Sequence, residues 1–222
     1  MTPEDAQILH AWRQNGPQWI RLIEEELIPS RQAGTNEAII QAILRLHPHT
    51  LLDVGCGEGW VCRELTRHEI DCTGIDGVKE LVEYAREKGS GRFLLASYQD
   101  LIHQKLLLQD TYELILFNYS LFGAKETEEI LRCVRTHLTE DGNILIQTIH
   151  PQNPLFAQTK AQWIQEDWKN FQENCHPYQW YFRDEAAWHK LFDACGLRIV
   201  WSESVYLPHS SDPFSLLLQL KP

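Results

Sequence analysis

The stretch Leu51-Leu52-Asp53-Val54-Gly55-Cys56-Gly57-Glu58-Gly59-Trp60 constrains this chain more than any other. An apolar run of strand length enters three glycines at alternating positions, and a helical pattern follows at once. Such a turn lets backbone N–H groups approach a ligand, because no side chain stands between them. The next apolar run ends in Asp76, where a carboxylate can accept both hydroxyls of a ribose. The pairing of loop and acid points to a nucleotide-like ligand far more specifically than the glycines do alone.

The pattern around this stretch repeats. Strands are expected at 50–54, 71–76, 92–96, 112–118 and 144–149, with helices at 58–68, 78–88, 99–108 and 125–138. The last helix is expected to end at Glu140-Asp141-Gly142-Asn143. Strands alternating with helices imply a parallel sheet with right-handed crossovers. Ahead of it, the apolar stripe over 4–28 breaks at Gly16-Pro17 and predicts two helical pieces. Residues 36–46 read as an amphipathic helix capped by Thr35 or Asn36. After residue 149 the alternation stops. Residues 150–183 form a long connection carrying Trp163, Trp168, Phe171, Tyr178, Trp180, Tyr181 and Phe182. A helix over 184–196, closed by Gly196, follows. Two strands, 197–207 and 214–220, are joined too briefly for a crossover and therefore pair antiparallel.

Composition removes several classes of function. The 31 acidic residues against 20 basic ones give a net charge of −11, a poor match for a polyanion. The small cluster of Arg86, Lys88 and Arg92 reads as a helix end, so no nucleic-acid partner is expected. No apolar run reaches the roughly 18 residues of a membrane span. The acidic first residues lack the pattern of a secretory signal, so the cytosol is the expected location. Six cysteines without a Cys-x-x-Cys pair read as buried, reduced thiols, and no metal site is expected.

Spacing then narrows the ligand. Dinucleotide loops favour Gly-x-Gly-x-x-Gly, whereas this loop is Gly-x-Gly-x-Gly with Trp60 in the later position. A triphosphate loop would need Gly-Lys-Ser/Thr, which is missing. Tyr84 and Lys88 fit a Tyr-x-x-x-Lys spelling but fall on the helix after the second strand, away from any expected centre.

At this point the sequence resembles the class I S-adenosylmethionine-dependent methyltransferases, especially the small-molecule enzymes of ubiquinone and menaquinone biosynthesis. Leu51–Gly59 is similar to the family's first motif and Cys72–Asp76 to its second. Tyr112–Phe122 resembles the fourth motif, and Leu138–Thr148 that of strand five. The resemblance implies an α/β, Rossmann-like seven-stranded sheet with helices on both faces and strand 7 antiparallel between strands 5 and 6. It implies one domain over 1–222: N-terminal helices (1–48), a cofactor-binding core (49–149), an inserted aromatic substrate cap (150–183), and a C-terminal helix with a β-hairpin (184–222).

Carried over by position, the resemblance implies S-adenosylmethionine as cofactor and S-adenosylhomocysteine as product. Gly55, Cys56, Gly57, Gly59 and Trp60 would form its loop, with Asp53 ordering it. Asp76 and Gly77 would hold the ribose, and Asn118 and Tyr119 would border the methyl group. The family often has an aspartate for adenine where this chain has Ser97, with Tyr98 next to it and Asp100 nearby. Arg31 is a candidate clamp for the cofactor carboxylate or a surface arginine.

Methyl transfer mainly requires alignment of the acceptor and exclusion of water. A phenol or amine acceptor also needs a base, for which His150 at the end of strand 5 is the first candidate. His176 is the second candidate base, and Tyr119 could hydrogen-bond the acceptor. Tyr178, Trp180, Tyr181 and Arg183 are candidate substrate residues. The alternative for the aromatics is a small core of the cap's own, and for Arg183 a pairing with Asp184 or Glu185. The expected function is methylation of a small-molecule acceptor at O, N or C by a monomer or homodimer. Its rivals are a non-catalytic S-adenosylmethionine-binding protein, a nucleotide-linked oxidoreductase, and a methyltransferase acting on protein or RNA. Asn118-Tyr119-Ser120-Leu121 lacks the Asn/Asp-Pro-Pro-Tyr/Phe pattern of base and glutamine N-methylation.

Overall fold

The computed structural model describes residues 2–104, 108, 111–166 and 175–222. Seven strands form one sheet: β1 (Thr50–Val54), β2 (Asp71–Asp76), β3 (Arg92–Leu95), β4 (Tyr112–Asn118), β5 (Leu138–Ile149), β8 (Arg198–Tyr206) and β9 (Pro213–Lys221). Their order is β3-β2-β1-β4-β5-β9-β8, and β9 runs antiparallel to both neighbours. This is the expected topology, including the inserted last strand. Two further strands among the described residues, β6 (Gln162–Glu166) and β7 (Tyr178–Phe182), form a separate antiparallel pair.

Period-two alternation explains why both faces are covered. In β4, Ile115 and Phe117 face one core, while Leu114 and Leu116 face the other. The first core lies beneath α5 (Tyr98–Ile102), α6 (Lys125–Val134) and α7 (Glu185–Cys195). The second lies beneath α2 (Asn36–Arg45), α3 (Trp60–Thr66) and α4 (Lys79–Lys88). Parallel strands emerging between two helical layers put all their carboxyl ends, and hence any ligand site, at one edge.

Several expectations change. The N-terminal segment is one helix, α1 (Pro3–Glu24), and Pro17 lies inside it. Pro17 is exposed while Gly16 is buried against Val78, so packing on the β2–α4 connection holds the helix through the proline. Thr35 stands at the N-cap of α2, as expected, but makes no side-chain capping bond: a π-helical turn, Arg31–Thr35, leads into the helix, and the Thr35 hydroxyl donates to the Ser30 carbonyl at 3.0 Å. Glu140–Asn143 does not end a helix but lies within β5, where a register shift opposite Tyr112 and Leu114 absorbs it. Residues 150–183 are not simply a connection, because they contain the β6–β7 hairpin. Trp168 and Phe171 lie outside the described residues.

The cysteines are not all reduced: Cys62 of α3 and Cys72 of β2 form a disulfide. The helix packs directly on the strand here, bringing the two Cα atoms to 5.2 Å. Cys56, Cys133, Cys175 and Cys195 are free thiols. Among the described residues, no helix is long and apolar enough to cross a membrane.

Candidate active site

The glycine loop leaves β1 and is fastened to β2 beside it. Gly55 and Cys56 donate their N–H groups to the Ile75 carbonyl at 2.8 and 3.0 Å. Asp76 accepts the Gly57 N–H on Oδ2 at 2.9 Å and the Val78 N–H on Oδ1 at 2.8 Å. The glycines divide their work. At Gly59 a Cβ would stand 2.6 Å from the Phe93 ring, so this residue is small because β3 and α4 pack on it. At Gly57 the nearest atom to a Cβ would be the Trp19 Nε1 at 3.8 Å. Gly57 therefore faces open space between the loop and α1, the cradle a ligand backbone would fill. Cys56 points the other way, its sulfur against Gly74 of β2.

Three acidic side chains crowd beneath the loop. Burial pushes Asp76 up to about 6, against the stabilising N–H groups of Val78, Gly57 and Gly77. Burial pushes Asp53 further, to about 8, and the charges of Glu58 and Asp76 add to it. Asp53 does not order the loop through hydrogen bonds: its Oδ1 is buried without a hydrogen-bond partner. Glu58, a residue the glycine pattern treats as filler, is almost fully buried between Arg31 at 3.7 Å and Arg63 at 3.8 Å. The Arg31 guanidinium also lies 5.0 Å over the Trp60 ring. Arg31 is thus held at the loop rather than on open surface, and burial lowers its pKa against the opposing charge of Glu58.

Two cavities flank the strand ends. The larger, about 420 Å³, lies beyond β2 and β3 and is lined by Gly77, Ala96, Ser97, Asp100 and Arg13 among others. Ser97 and Asp100 form a capping box at α5: the Ser97 N–H and hydroxyl donate to Asp100 Oδ2, at 2.9 and 2.6 Å. Arg13, which the sequence pattern gave no reason to choose, donates Nε–H to the Gly77 carbonyl at 3.3 Å. Tyr98 is not brought to this cavity. Its hydroxyl turns inward and donates to the Ser120 carbonyl at 2.9 Å, and its ring meets Phe117 edge-on.

The smaller cavity, about 20 Å³, lies between the end of β4 and the β7 hairpin strand. Tyr119, Phe122, Thr148, Trp180, Tyr181 and Arg183 line it, with Trp188 of α7. Tyr119 sits at φ +51°, a left-handed conformation unusual for an aromatic residue. Burial raises its phenol to about 12, with the Ser215 and Thr35 hydroxyls opposing. Asn118, just before it, has its Oδ1 buried without a hydrogen-bond partner. Arg183 is 5% exposed and donates Nη2–H to the Gly123 and Ala124 carbonyls at 2.5 and 2.8 Å. Its guanidinium rests 5.0 Å from Tyr181 and 5.1 Å from Trp188. It pairs with neither Asp184 nor Glu185, since Asp184 instead caps α7 through the Ala187 N–H and pairs with Lys160.

The structure does not bring His150 into either cavity. Its Nδ1 accepts the Gln152 N–H at 3.0 Å, which leaves Nε2–H to donate to the Ser204 hydroxyl at 3.0 Å. Burial lowers its pKa. His176 is tied to α1 through its backbone, with the Asn15 amide bridging its N–H and carbonyl. Tyr178 packs between Trp12 and Phe122, at 5.5 and 5.8 Å, in a cluster with Trp180 and Phe182. The cap aromatics therefore build a core of their own against α1, and Trp180, Tyr181 and Phe182 turn one side to the small cavity.

A family model described as a methyltransferase domain matches residues 12–202, most of the chain. The chain belongs to the methyltransferase domain family. Its sheet order, glycine loop and strand-end acid are those expected of the S-adenosylmethionine-dependent, class I form. Among the relatives is a malonyl-[acyl-carrier protein] O-methyltransferase of Bacillus anthracis, 25% identical over 55% of this chain and 45% of that protein. A ubiquinone biosynthesis O-methyltransferase of Aeromonas salmonicida is 28% identical over 47% of this chain and 44% of its own. A tRNA1(Val) (adenine(37)-N6)-methyltransferase of Yersinia pestis is 26% identical over 59% and 63%. The chain thus spans less than half the length of the first of these curated relatives. A solved structure, "DhpI-SAM-HEP complex", superposes over 100% of both chains at a TM-score of 0.73 and 15% identity, a likeness of fold.

The methyltransferase domain offers groups that fit S-adenosylmethionine. Gly57 leaves a cradle open, and Asp53 and Asn118 each hold a buried oxygen with no partner, suited to an ammonium or a hydroxyl. The 420 Å³ cavity begins at Gly77, next to Asp76, on the side where an adenine attached to a ribose held by Asp76 would extend.

Proposed function

We propose that this methyltransferase domain moves a methyl group from S-adenosylmethionine to a small-molecule acceptor held beneath the β6–β7 hairpin. When bound, the donor supplies a methyl group already activated on a sulfonium. The residues of the chain then bind, orient and exclude water. Gly55–Gly59 would take the methionyl part on backbone N–H groups, with Arg31 toward its carboxylate. Asp76 would hold the ribose, and Ser97 with Gly77 would border the adenine. Asn118 and Tyr119 would stand between donor and acceptor.

One observation carries the choice of a small acceptor. Tyr119 lines a cavity of about 20 Å³ walled by the aromatic rings of Trp180, Tyr181, Phe182 and Trp188. A base or side chain of a macromolecule would have to enter through this aromatic wall. The likeness to a tRNA methyltransferase favours the second reading, an RNA acceptor, and net charge −11 counts against it. Titration calorimetry with S-adenosylhomocysteine tests the cofactor, and labelled methyl transfer to a small-molecule extract or to bulk tRNA tests the acceptor. Label entering only the tRNA would overturn the small-molecule reading.

A further inference from the structure

The buried guanidinium of Arg183 has an unusual balance of partners. Nη2 is satisfied by two backbone carbonyls, but Nη1 is buried with no hydrogen-bond acceptor. Among the described residues, no carboxylate comes within ion-pair distance of it: buried Asp5, which accepts the Ala124 N–H at 2.9 Å, acts on it only through space, and its ring neighbours Tyr181 and Trp188 carry no charge. A full positive charge thus lies beneath the cap beside the small cavity, with one donor unspent. Burial of that kind is costly unless an anion completes it.

The same cavity has a second gap. Among the described residues, none that line it is a carboxylate, histidine, lysine or cysteine, and the Tyr119 phenol holds its proton. His150 lies outside it with both ring nitrogens engaged. Among the described residues, no side chain lining the cavity can take a proton from an alcohol, phenol or ammonium at neutral pH. An acceptor that arrives already deprotonated needs no such group.

Both gaps have one solution. We propose that the acceptor is a small oxyacid whose anionic group is bound by Arg183 Nη1 and is itself the site of methylation. This rests on the methyltransferase reading above and names its substrate class. One oxygen of the anion accepts from Nη1, and another forms the new bond to the methyl carbon. The methyl–sulfur bond breaks and its electron pair stays on sulfur. A carboxylate and a sulfonium thereby become a neutral ester and a neutral thioether, with no proton moved. A cavity of about 20 Å³ suits a compact head such as a carboxylate and has no room for an aromatic ring.

The test is calorimetry on the full chain saturated with S-adenosylhomocysteine. Acetate, propionate and butyrate are each compared with the corresponding primary amide, and ethylphosphonate with its dimethyl ester. The acids should bind about tenfold to a hundredfold more tightly than their neutral partners, the range of one charge-assisted hydrogen bond. Carboxylates binding above phosphonate would identify a planar acid, and the reverse a tetrahedral one. Arg183→Gln should bring acid and amide to equal affinity with S-adenosylhomocysteine binding unchanged, while Arg183→Lys should keep part of the preference. The acid–amide comparison needs no variant, so misfolding of Arg183→Gln leaves the test intact. Equal binding of acids and amides to the wild-type complex overturns the proposal. Failure to bind S-adenosylhomocysteine overturns the methyltransferase reading instead.

Discussion

Asp76 Oδ2 and the Gly57 N–H meet at 2.9 Å, so the acid expected to hold a ribose also closes the loop expected to hold the rest of the cofactor. The two tasks are compatible because a carboxylate has about four lone-pair sites, more than the N–H groups of Gly57, Val78 and Gly77 use. Asp76→Asn keeps the shape but turns one acceptor into a donor facing a donor. We expect S-adenosylhomocysteine affinity to fall about tenfold to a hundredfold, with about 1 kcal/mol lost in stability. Titration calorimetry and thermal unfolding read the two effects separately. Unchanged affinity would remove Asp76 from the site.

Asp53 and Asp76 make the empty domain sensitive to pH. Both have folded pKa values above the ordinary aspartate value, at about 8 and about 6. Raised acids hold protons more tightly in the fold than in the unfolded chain. Their contribution is therefore favourable at low pH and is lost as pH climbs from the unfolded value through the folded one. Asp53→Asn removes the larger share. Relative to the wild type, the variant should gain stability between about pH 5 and about pH 8.5, by on the order of a few kcal/mol. A cationic ligand reverses the sign by favouring the ionised acids, so S-adenosylmethionine should bind more tightly as pH rises from about 6 to about 8 and release protons on binding. Calorimetry in two buffers of different ionisation enthalpy measures that release, and zero release would count against both carboxylates as ligands.

Glu58 is the anionic centre between Arg31 and Arg63, with its carboxylate 2% exposed. Removing one member of a buried ionic group leaves the others uncompensated, so Glu58→Ala should cost about 3 kcal/mol. Glu58→Gln, which keeps volume and one acceptor, should cost less. Denaturant unfolding of both variants checks the order. Equal stability of wild type and Glu58→Ala would mean that solvent already screens the pair.

Much of the fold was legible in the sequence because its signals are local and periodic. β1, β2 and β4 fall on their expected residues, since each is an apolar run bounded by turn chemistry. The insertion of β9 followed from the short link before it and from the family likeness. The misses have specific causes. Pro17 breaks a helical pattern, but only packing decides whether the helix breaks with it. The β6–β7 hairpin was hidden because β6 has only two apolar residues, Trp163 and Ile164, side by side without a period-two run, and because its connection is long. At the site, the glycines and Asp76 were readable from spacing. Glu58, Arg13 and the pairing of Cys62 with Cys72 depend on chain crossings that no spacing encodes. His150 was chosen for its place at a strand end, but position does not fix orientation: its ring turns toward β8.

That orientation gives His150 a testable role different from proton acceptance. Its two ring nitrogens join the start of the cap, at Gln152, to Ser204 on the edge strand. His150→Ala would leave the part-buried Gln152 N–H and the Ser204 hydroxyl without these partners, at a cost of about 1 kcal/mol. We therefore expect a lower melting temperature, with methyl transfer at low temperature close to that of the wild type. His150→Gln can replace one of the two bonds and should recover part of the stability. The pH dependence of turnover discriminates further. A general base would impose a rise in kcat through its pKa that disappears in the alanine variant, whereas a structural histidine leaves the profile unchanged. Loss of turnover in a fully folded His150→Ala protein, together with that change in profile, would restore His150 as the base and require the ring to turn toward the acceptor during catalysis.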